Sequence, residues 1–156
     1  KGRLMIEIKF EDSHVSVNDN CKTKKSILEK ISDLLSKPSG VSRNEIFKKL
    51  YEREKLGSTS IGKGVAIPHA RIQEIEYPFL SIIILDDPVE FDNIDSLDVD
   101  IIVSIIVPEK NYSKHLELLA YLSSKLDDPA VRKELRQARN SSQIIKNLYS
   151  DDLEFI

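Results

Sequence analysis

Gly57-Ser58-Thr59-Ser60-Ile61-Gly62-Lys63-Gly64-Val65-Ala66-Ile67-Pro68-His69-Ala70-Arg71 is the stretch on which the reading of this chain turns. Its apolar centre, Val65-Ala66-Ile67, runs into Pro68 and then His69. Proline fixes its own φ and steers the residue before it toward extended backbone. Val65-Ala66-Ile67 therefore reads as a short buried strand, with His69 where that strand ends. An imidazole mounted at a sheet edge presents one ring nitrogen in a fixed direction. Gly57, Gly62 and Gly64 crowd the approach to the strand, which points to positive φ or close backbone approach. The alternative for a lone histidine after a proline is an ordinary loop residue.

Working outward, Leu4 to Phe10 alternates apolar and charged residues, the pattern of a half-buried strand. Thr23 to Lys37 carries Ile27, Leu28, Ile31, Leu34 and Leu35 at helical spacing, and Pro38-Ser39-Gly40 is expected to stop it. Ser42 with Glu45 three residues on reads as a capping box. The helix it opens runs through Ile46, Phe47, Leu50 and Tyr51 to about Leu56, with Gly57 as its stop. Beyond His69, Phe79 to Leu85 is closed by Asp86-Asp87-Pro88, and Val99 to Val107 is closed by Pro108. Both are near-continuous apolar runs, the mark of strands covered on both faces. Ser113 is expected to cap a helix through about Leu126, with Leu116, Leu119, Ala120 and Leu122 apolar. Asp128 and Pro129 suit the cap and first position of another helix. A last helix, Ser141 to about Tyr149, follows Asn140. Helices before, between and after buried strands predict an α/β fold, a mixed sheet with helices on both faces. No repeat, linker or internal boundary divides residues 1–156, which read as one domain.

Composition limits the functional classes. The chain has 40% hydrophobic and 31% charged residues and a formal net charge of −3. That charge gives no electrostatic case for nucleic acid or an anionic membrane. The longest apolar run, Ile101 to Val107, is interrupted by Ser104 and is too short to cross a bilayer. Lys1 to Phe10 holds no signal-peptide core. The single cysteine, Cys21, has no internal disulfide partner and no neighbouring histidine to activate it. These features predict a cytoplasmic protein.

Two further residues could join His69 in chemistry. With Ser113 as the cap, His115 falls in the first turn of its helix, where the positive end disfavours a charged imidazole. A neutral ring beside free backbone N–H groups suits a phosphate or an oxyanion. Arg53, in Tyr51-Glu52-Arg53-Glu54-Lys55, offers a fork matched to a phosphoryl group. Each has an ordinary alternative: a solvated first-turn histidine, and an arginine at a charged helix end. Other motifs are absent. Lys63 is followed by Gly64 and not by Ser or Thr, so Gly62-Lys63-Gly64 is no phosphate-binding loop of the Walker kind. The histidines lack partners at zinc spacing, and there is no serine-nucleophile elbow. His14, in a polar segment, reads as structural.

The run Arg53-Glu54-Lys55-Leu56-Gly57 through Ala66-Ile67-Pro68-His69 resembles the signature of fructose/mannitol-type enzyme IIA domains. These belong to the phosphoenolpyruvate-dependent sugar phosphotransferase system. Phe91-Asp92-Asn93-Ile94-Asp95, Val99-Asp100, Val107-Pro108 and His115-Leu116 resemble the nitrogen-regulatory branch of that family. The resemblance covers roughly Thr23 to Tyr149. It implies the enzyme IIA type-2 fold and a phosphohistidine phosphocarrier, with His69 phosphorylated through Nε2 and His115 and Arg53 as the other active-site residues. It implies a histidine phosphocarrier protein (HPr/NPr-like) as donor, and a IIB component or a regulatory target protein as the next partner. Nucleic acid and membrane insertion are not expected, and a homodimer is left open. No cofactor or metal is implied, because the phosphoryl group arrives already activated. Three readings follow: a nitrogen-regulatory phosphocarrier, a sugar-specific IIA component, and a regulatory binding module that does not transfer. The chain departs from the family's pattern at Ser60, where Gly is common, and at Ala70-Arg71, where many relatives carry Gly followed by Lys or Thr. Those positions concern the partner surface rather than the chemistry.

Overall fold

The structure, a computed structural model, describes residues 5–92 and 94–156. The expected strand start at Leu4, the first residue Lys1, and Asn93 of the 91–95 motif lie outside the described residues. The chain runs through β1 (Ile6–Ile8), a 3-10 turn (Asp12–His14), β2 (Val15–Asp19), α1 (Lys24–Ser39) and α2 (Arg43–Lys55). Then come β3 (Ser60–Gly62), β4 (Val65–Ala66), β5 (His69–Ile72), β6 (Phe79–Val89) and β7 (Val99–Pro108). It finishes with α3 (Tyr112–Leu126), α4 (Pro129–Gln137), α5 (Ser141–Leu148) and β8 (Leu153–Phe155).

The two apolar runs form the middle of the sheet. β6 and β7 pair antiparallel, and the strand order is β2-β6-β7-β4-β3 with β5 also on β7. β2 on β6, and β4 and β5 on β7, are parallel, so the sheet is mixed. Side chains alternate between its faces. Leu80, Ile82, Val103 and Ile105 join α3, α4 and α5 in one core, and Ile83, Ile102 and Ile106 join α1 and α2 in the other. Each fully buried Ile or Leu contributes roughly 2 kcal/mol. That double coverage is why the runs carry so few polar residues. The exceptions, Ser81 and Ser104, are buried and face each other across the ladder, where their hydroxyls bond to one another. The predicted α/β architecture, with a mixed sheet and helices on both faces, is the one observed.

Several boundaries differ from the sequence expectation. Pro38 does not stop α1; it lies one residue from the end of the helix, where it removes one bond to the preceding turn and leaves almost no helix beyond it to disturb. Ser39 Oγ donates to the Leu35 carbonyl at 2.6 Å, and Gly40, at φ 77°, ends the helix. A complete capping box occurs at Thr23 and Ser26, while Ser42 Oγ accepts from the Glu45 N–H. Asp86-Asp87-Pro88 does not close β6, because those exposed residues overhang where the pairing with β7 shifts register and no donor is needed.

The start of α3 is the correction that matters most. Ser113 is not the cap; Asn111 is, with φ 61° and no side-chain cap bond. The whole frame therefore shifts. His115, Leu118, Leu122 and Leu126 form the buried stripe, whereas Leu116 and Ala120 are exposed and Leu119 is half-buried. His115 is not in the first turn: its N–H already bonds to the Asn111 carbonyl at 3.3 Å. Strands β2, β3 and β8 escape sequence reading because they are short, polar or interrupted by glycine. No described helix is long and apolar enough to cross a membrane.

Candidate functional site

His69 does not end a strand, as expected, but opens one. β4 and β5 pair with β7 in a single register: Val65 faces Ile101, Ala66 faces Ile102, and His69 faces Ile105. They are one strand interrupted at Ile67-Pro68. Pro68 has no N–H, and the Ile67 N–H turns away to the Thr59 carbonyl at 3.0 Å. The Pro68 carbonyl still accepts from Ile105 at 3.1 Å, so the break is anchored to β7 as well. The glycine loop ahead of it closes tightly. At Gly64, φ is +83° and a Cβ would lie 2.8 Å from Arg136 Nη2. Arg136 is fixed there by a two-pronged pair with Asp100, at 2.8 and 2.9 Å.

The break aims the imidazole. His69 Nδ1 lies 2.9 Å from the Ile67 carbonyl. A carbonyl can only accept, so Nδ1 carries the proton and Nε2 keeps its lone pair. Arg53, in the last turn of α2, places Nε 3.3 Å from that Nε2 and donates from Nη1 to the Gly57 carbonyl at 2.7 Å. Burial holds His69 below the ordinary histidine pKa. The Ile67 bond pulls upward, Arg53 pushes further down, and the Glu54 carboxylate opposes it. The ring is therefore neutral and nucleophilic at neutral pH.

His115 reaches the same place from α3. Its Nδ1 is buried and has no hydrogen-bond partner among the described residues. Burial, with Lys114 nearby, also lowers its pKa. A neutral ring whose sealed Nδ1 meets no acceptor keeps its proton on Nε2. The two histidines thus carry opposite tautomers: His69 offers a lone pair and His115 offers an N–H. A cleft of about 640 Å³ collects Arg53, His69 and His115, rimmed by Lys49, Arg71 and Glu109. The structure brings together the three residues singled out from the sequence. It also shows one whose role the sequence left unnoticed, and a buried place for another. Glu54 is buried beside Arg53, and Thr59 bonds to it through both its N–H and its hydroxyl. Ser60, one of the departures noted above, has a buried hydroxyl without a partner among the described residues.

The remaining candidates stand apart. His14 is buried with Nδ1 2.9 Å from the Leu80 carbonyl. Cys21 is half-buried, and burial and Asp19 push its thiol up to about 11. No three His, Cys, Asp or Glu side chains among the described residues are grouped to hold a metal ion.

All three histidines are held below the ordinary value by burial. The unfolded chain, titrating near the usual value of about 6.5, then binds more protons at acid pH than the folded chain. Stability is full above that value and is lost as pH falls through it toward the folded values. Melting temperatures recorded from about pH 7.5 to about pH 5.5 should decline toward acid, since the lowered carboxylates act only below about pH 4. A flat or rising profile would contradict this.

Residues 9–151 match the family described as Phosphoenolpyruvate-dependent sugar phosphotransferase system, EIIA 2. The chain is 41% identical over 117 residues to a nitrogen regulatory protein of Pseudomonas aeruginosa, covering 74% of this chain and 76% of that one. The crystal structure of nitrogen regulatory protein IIA-Ntr from Neisseria meningitidis superposes with a TM-score of 0.84 at 34% identity. It covers 88% of this chain and 94% of its own. A complex of enzyme IIAMTL and phosphorylated enzyme IIBMTL from Escherichia coli matches with a TM-score of 0.74 at 17% identity, covering 90% and 97%. At that identity the likeness is one of fold.

Proposed function

The chain belongs to the EIIA 2 family of the phosphoenolpyruvate-dependent sugar phosphotransferase system, and from that premise we propose that it is a phosphocarrier whose acceptor is Nε2 of His69. The donor is the phosphohistidine of an HPr/NPr-like carrier protein. The lone pair on Nε2 attacks the phosphorus in line. The N–P bond to the donor breaks as the new one forms, and the donor nitrogen keeps the electron pair. Nδ1 retains its proton on the Ile67 carbonyl throughout. Charge spread over the phosphoryl oxygens is met by the Arg53 guanidinium and the His115 Nε2–H. Catalysis of such a transfer is largely positioning and electrostatics.

One observation carries this reading: Arg53 donates toward the very nitrogen that the Ile67 carbonyl leaves unprotonated. The likeness to nitrogen regulatory proteins favours a regulatory use, in which the added negative charge changes which partner docks at the cleft. A IIB component is the alternative acceptor, and the same reading makes the protein cytoplasmic. A pull-down separates the two uses: a IIB component would support transport, and a transporter or a sensor kinase would support regulation.

Incubation with phosphoenolpyruvate, enzyme I and a histidine phosphocarrier, followed by intact-mass analysis, tests the chemistry. One phosphoryl group should be gained. No gain with several different carriers would leave a non-transferring binding module. In the same assay His115→Ala should stay folded and lose about a hundredfold in rate, the typical cost of removing one donor from a developing anion. An unfolded variant would make His115 structural, and an unchanged rate would remove it from the site.

A further inference from the structure

Arg53 and Glu54 are neighbours at the end of α2, yet they act on different parts of the loop that follows. Arg53 faces the cleft and holds the Gly57 carbonyl. Glu54 is turned inward, with its side chain 3% exposed. A carboxylate so buried is costly unless donors surround it. Three do. Lys24 Nζ lies 2.9 Å from Oε1, the Thr59 N–H donates to Oε1 at 3.2 Å, and the Thr59 hydroxyl donates to Oε2. From Thr59 the connection continues through the backbone, crossing one Cα at Thr59 and another at Ile67. The Thr59 carbonyl accepts the Ile67 N–H at 3.0 Å, and the Ile67 carbonyl accepts from His69 Nδ1 at 2.9 Å. Lys24, at the start of α1, is also paired with Asp92 at 3.0 Å and lies over the Phe91 ring. The far end of the connection is therefore fixed to the second core.

We propose that Glu54 is a positioning residue for phosphoryl transfer: through Thr59 and Ile67 it fixes the orientation and the tautomer of the His69 ring. The inference rests on the reading of His69 as the phosphoryl acceptor. When Nε2 takes the phosphoryl group, positive charge develops on the ring and the Nδ1–H becomes a stronger donor. The buried Glu54 carboxylate lies close enough to act on the ring directly and favours that positive charge, while the bonds through Thr59 and Ile67 hold the Ile67 carbonyl in place to receive the Nδ1–H. A neutral residue at 54 could fill the same space but could not answer the developing charge.

The charged groups facing His69 make the sign definite. Arg53 and Glu54 come from α2 and His115 from α3, and Lys49, Glu52, Arg71 and Glu109 stand at the rim. Among these, Glu54 raises the His69 pKa and Arg53 lowers it, as the Ile67 bond also raises it. Removing the Glu54 charge and loosening the Ile67 bond therefore act in one direction, toward a lower titration midpoint.

The test is 15N NMR of the His69 ring through a pH titration, on the native chain, Glu54→Gln and Thr59→Val, with phosphorylation rates measured in parallel. In Glu54→Gln the Nδ1–H form should cease to dominate and the midpoint should move down. Transfer should slow on the order of tenfold to a hundredfold, as for a misplaced reacting group. Thr59→Val keeps the shape and loses only the hydroxyl bond, so it should shift both readouts the same way by less. Asp92→Asn, which removes only the exposed partner of Lys24, should leave the His69 ring unchanged. Folded Glu54→Gln or Thr59→Val proteins with a native His69 tautomer and midpoint would overturn the proposal. If Glu54→Gln fails to fold, Thr59→Val decides. A native chain that takes no phosphoryl group would overturn the phosphocarrier reading instead, while the ring titration would still report on positioning.

Discussion

His69→Ala should emerge from incubation with phosphoenolpyruvate, enzyme I and a histidine phosphocarrier at its unmodified mass, while the native chain gains one phosphoryl group. The expected loss is complete because no other imidazole can substitute. His14 is only 2% exposed, with Nδ1 committed to the Leu80 carbonyl. His115 shares the cleft, but its protonated nitrogen is the one that faces it, so it presents a donor where a nucleophile is needed. Truncation at residue 69 removes a half-buried ring and leaves the strand pairing with Ile105 in place, so the variant should fold. A residual phosphohistidine on His69→Ala would sink the assignment.

Arg53→Lys should lower the transfer rate by about two to three orders of magnitude, the range found when a preorganised donor to a developing anion is removed. The guanidinium does two things at once. Nε points at His69 Nε2, and Nη1 holds the Gly57 carbonyl, with the two donors fixed in one plane. A lysine ammonium keeps the charge but is a single point on a flexible stem. It can serve the loop or the phosphoryl oxygens, not both in a fixed relation. Rates measured against the native chain, with circular dichroism as the check on folding, decide it. An unchanged rate would remove Arg53 from the site.

The sequence reading went furthest where local rules and tertiary packing agree. The runs around Ile82 and Ile102 had to be buried on both faces, and Asp128-Pro129 had to open a helix. His69, Arg53 and His115 were each noticed for the chemistry they could do, and the fold gathers them at one cleft. Reading failed where a backbone solution overrode a side-chain preference. A left-handed Asn111 starts α3 two residues before the serine that looked like its cap. His115 then gains a place in the buried stripe and loses the free N–H groups expected around it. Glu54 went unremarked because a glutamate in a charged helix end looks solvated. Only the return of Thr59 and Lys24, from opposite directions along the chain, reveals that it is enclosed.

The shared register of β4 and β5 ties readiness for reaction to the cooperative melting of the whole molecule. The ring is attached on either side of Pro68 to β7, the strand enclosed by both cores. Backbone amides along such a strand exchange with solvent only when the entire domain opens. A partly frayed chain could lose β2 or its last helix and still present the imidazole, but no form lacking β7 could. Substitutions far from the cleft should therefore change output by altering how many molecules are folded, not how well each folded one performs.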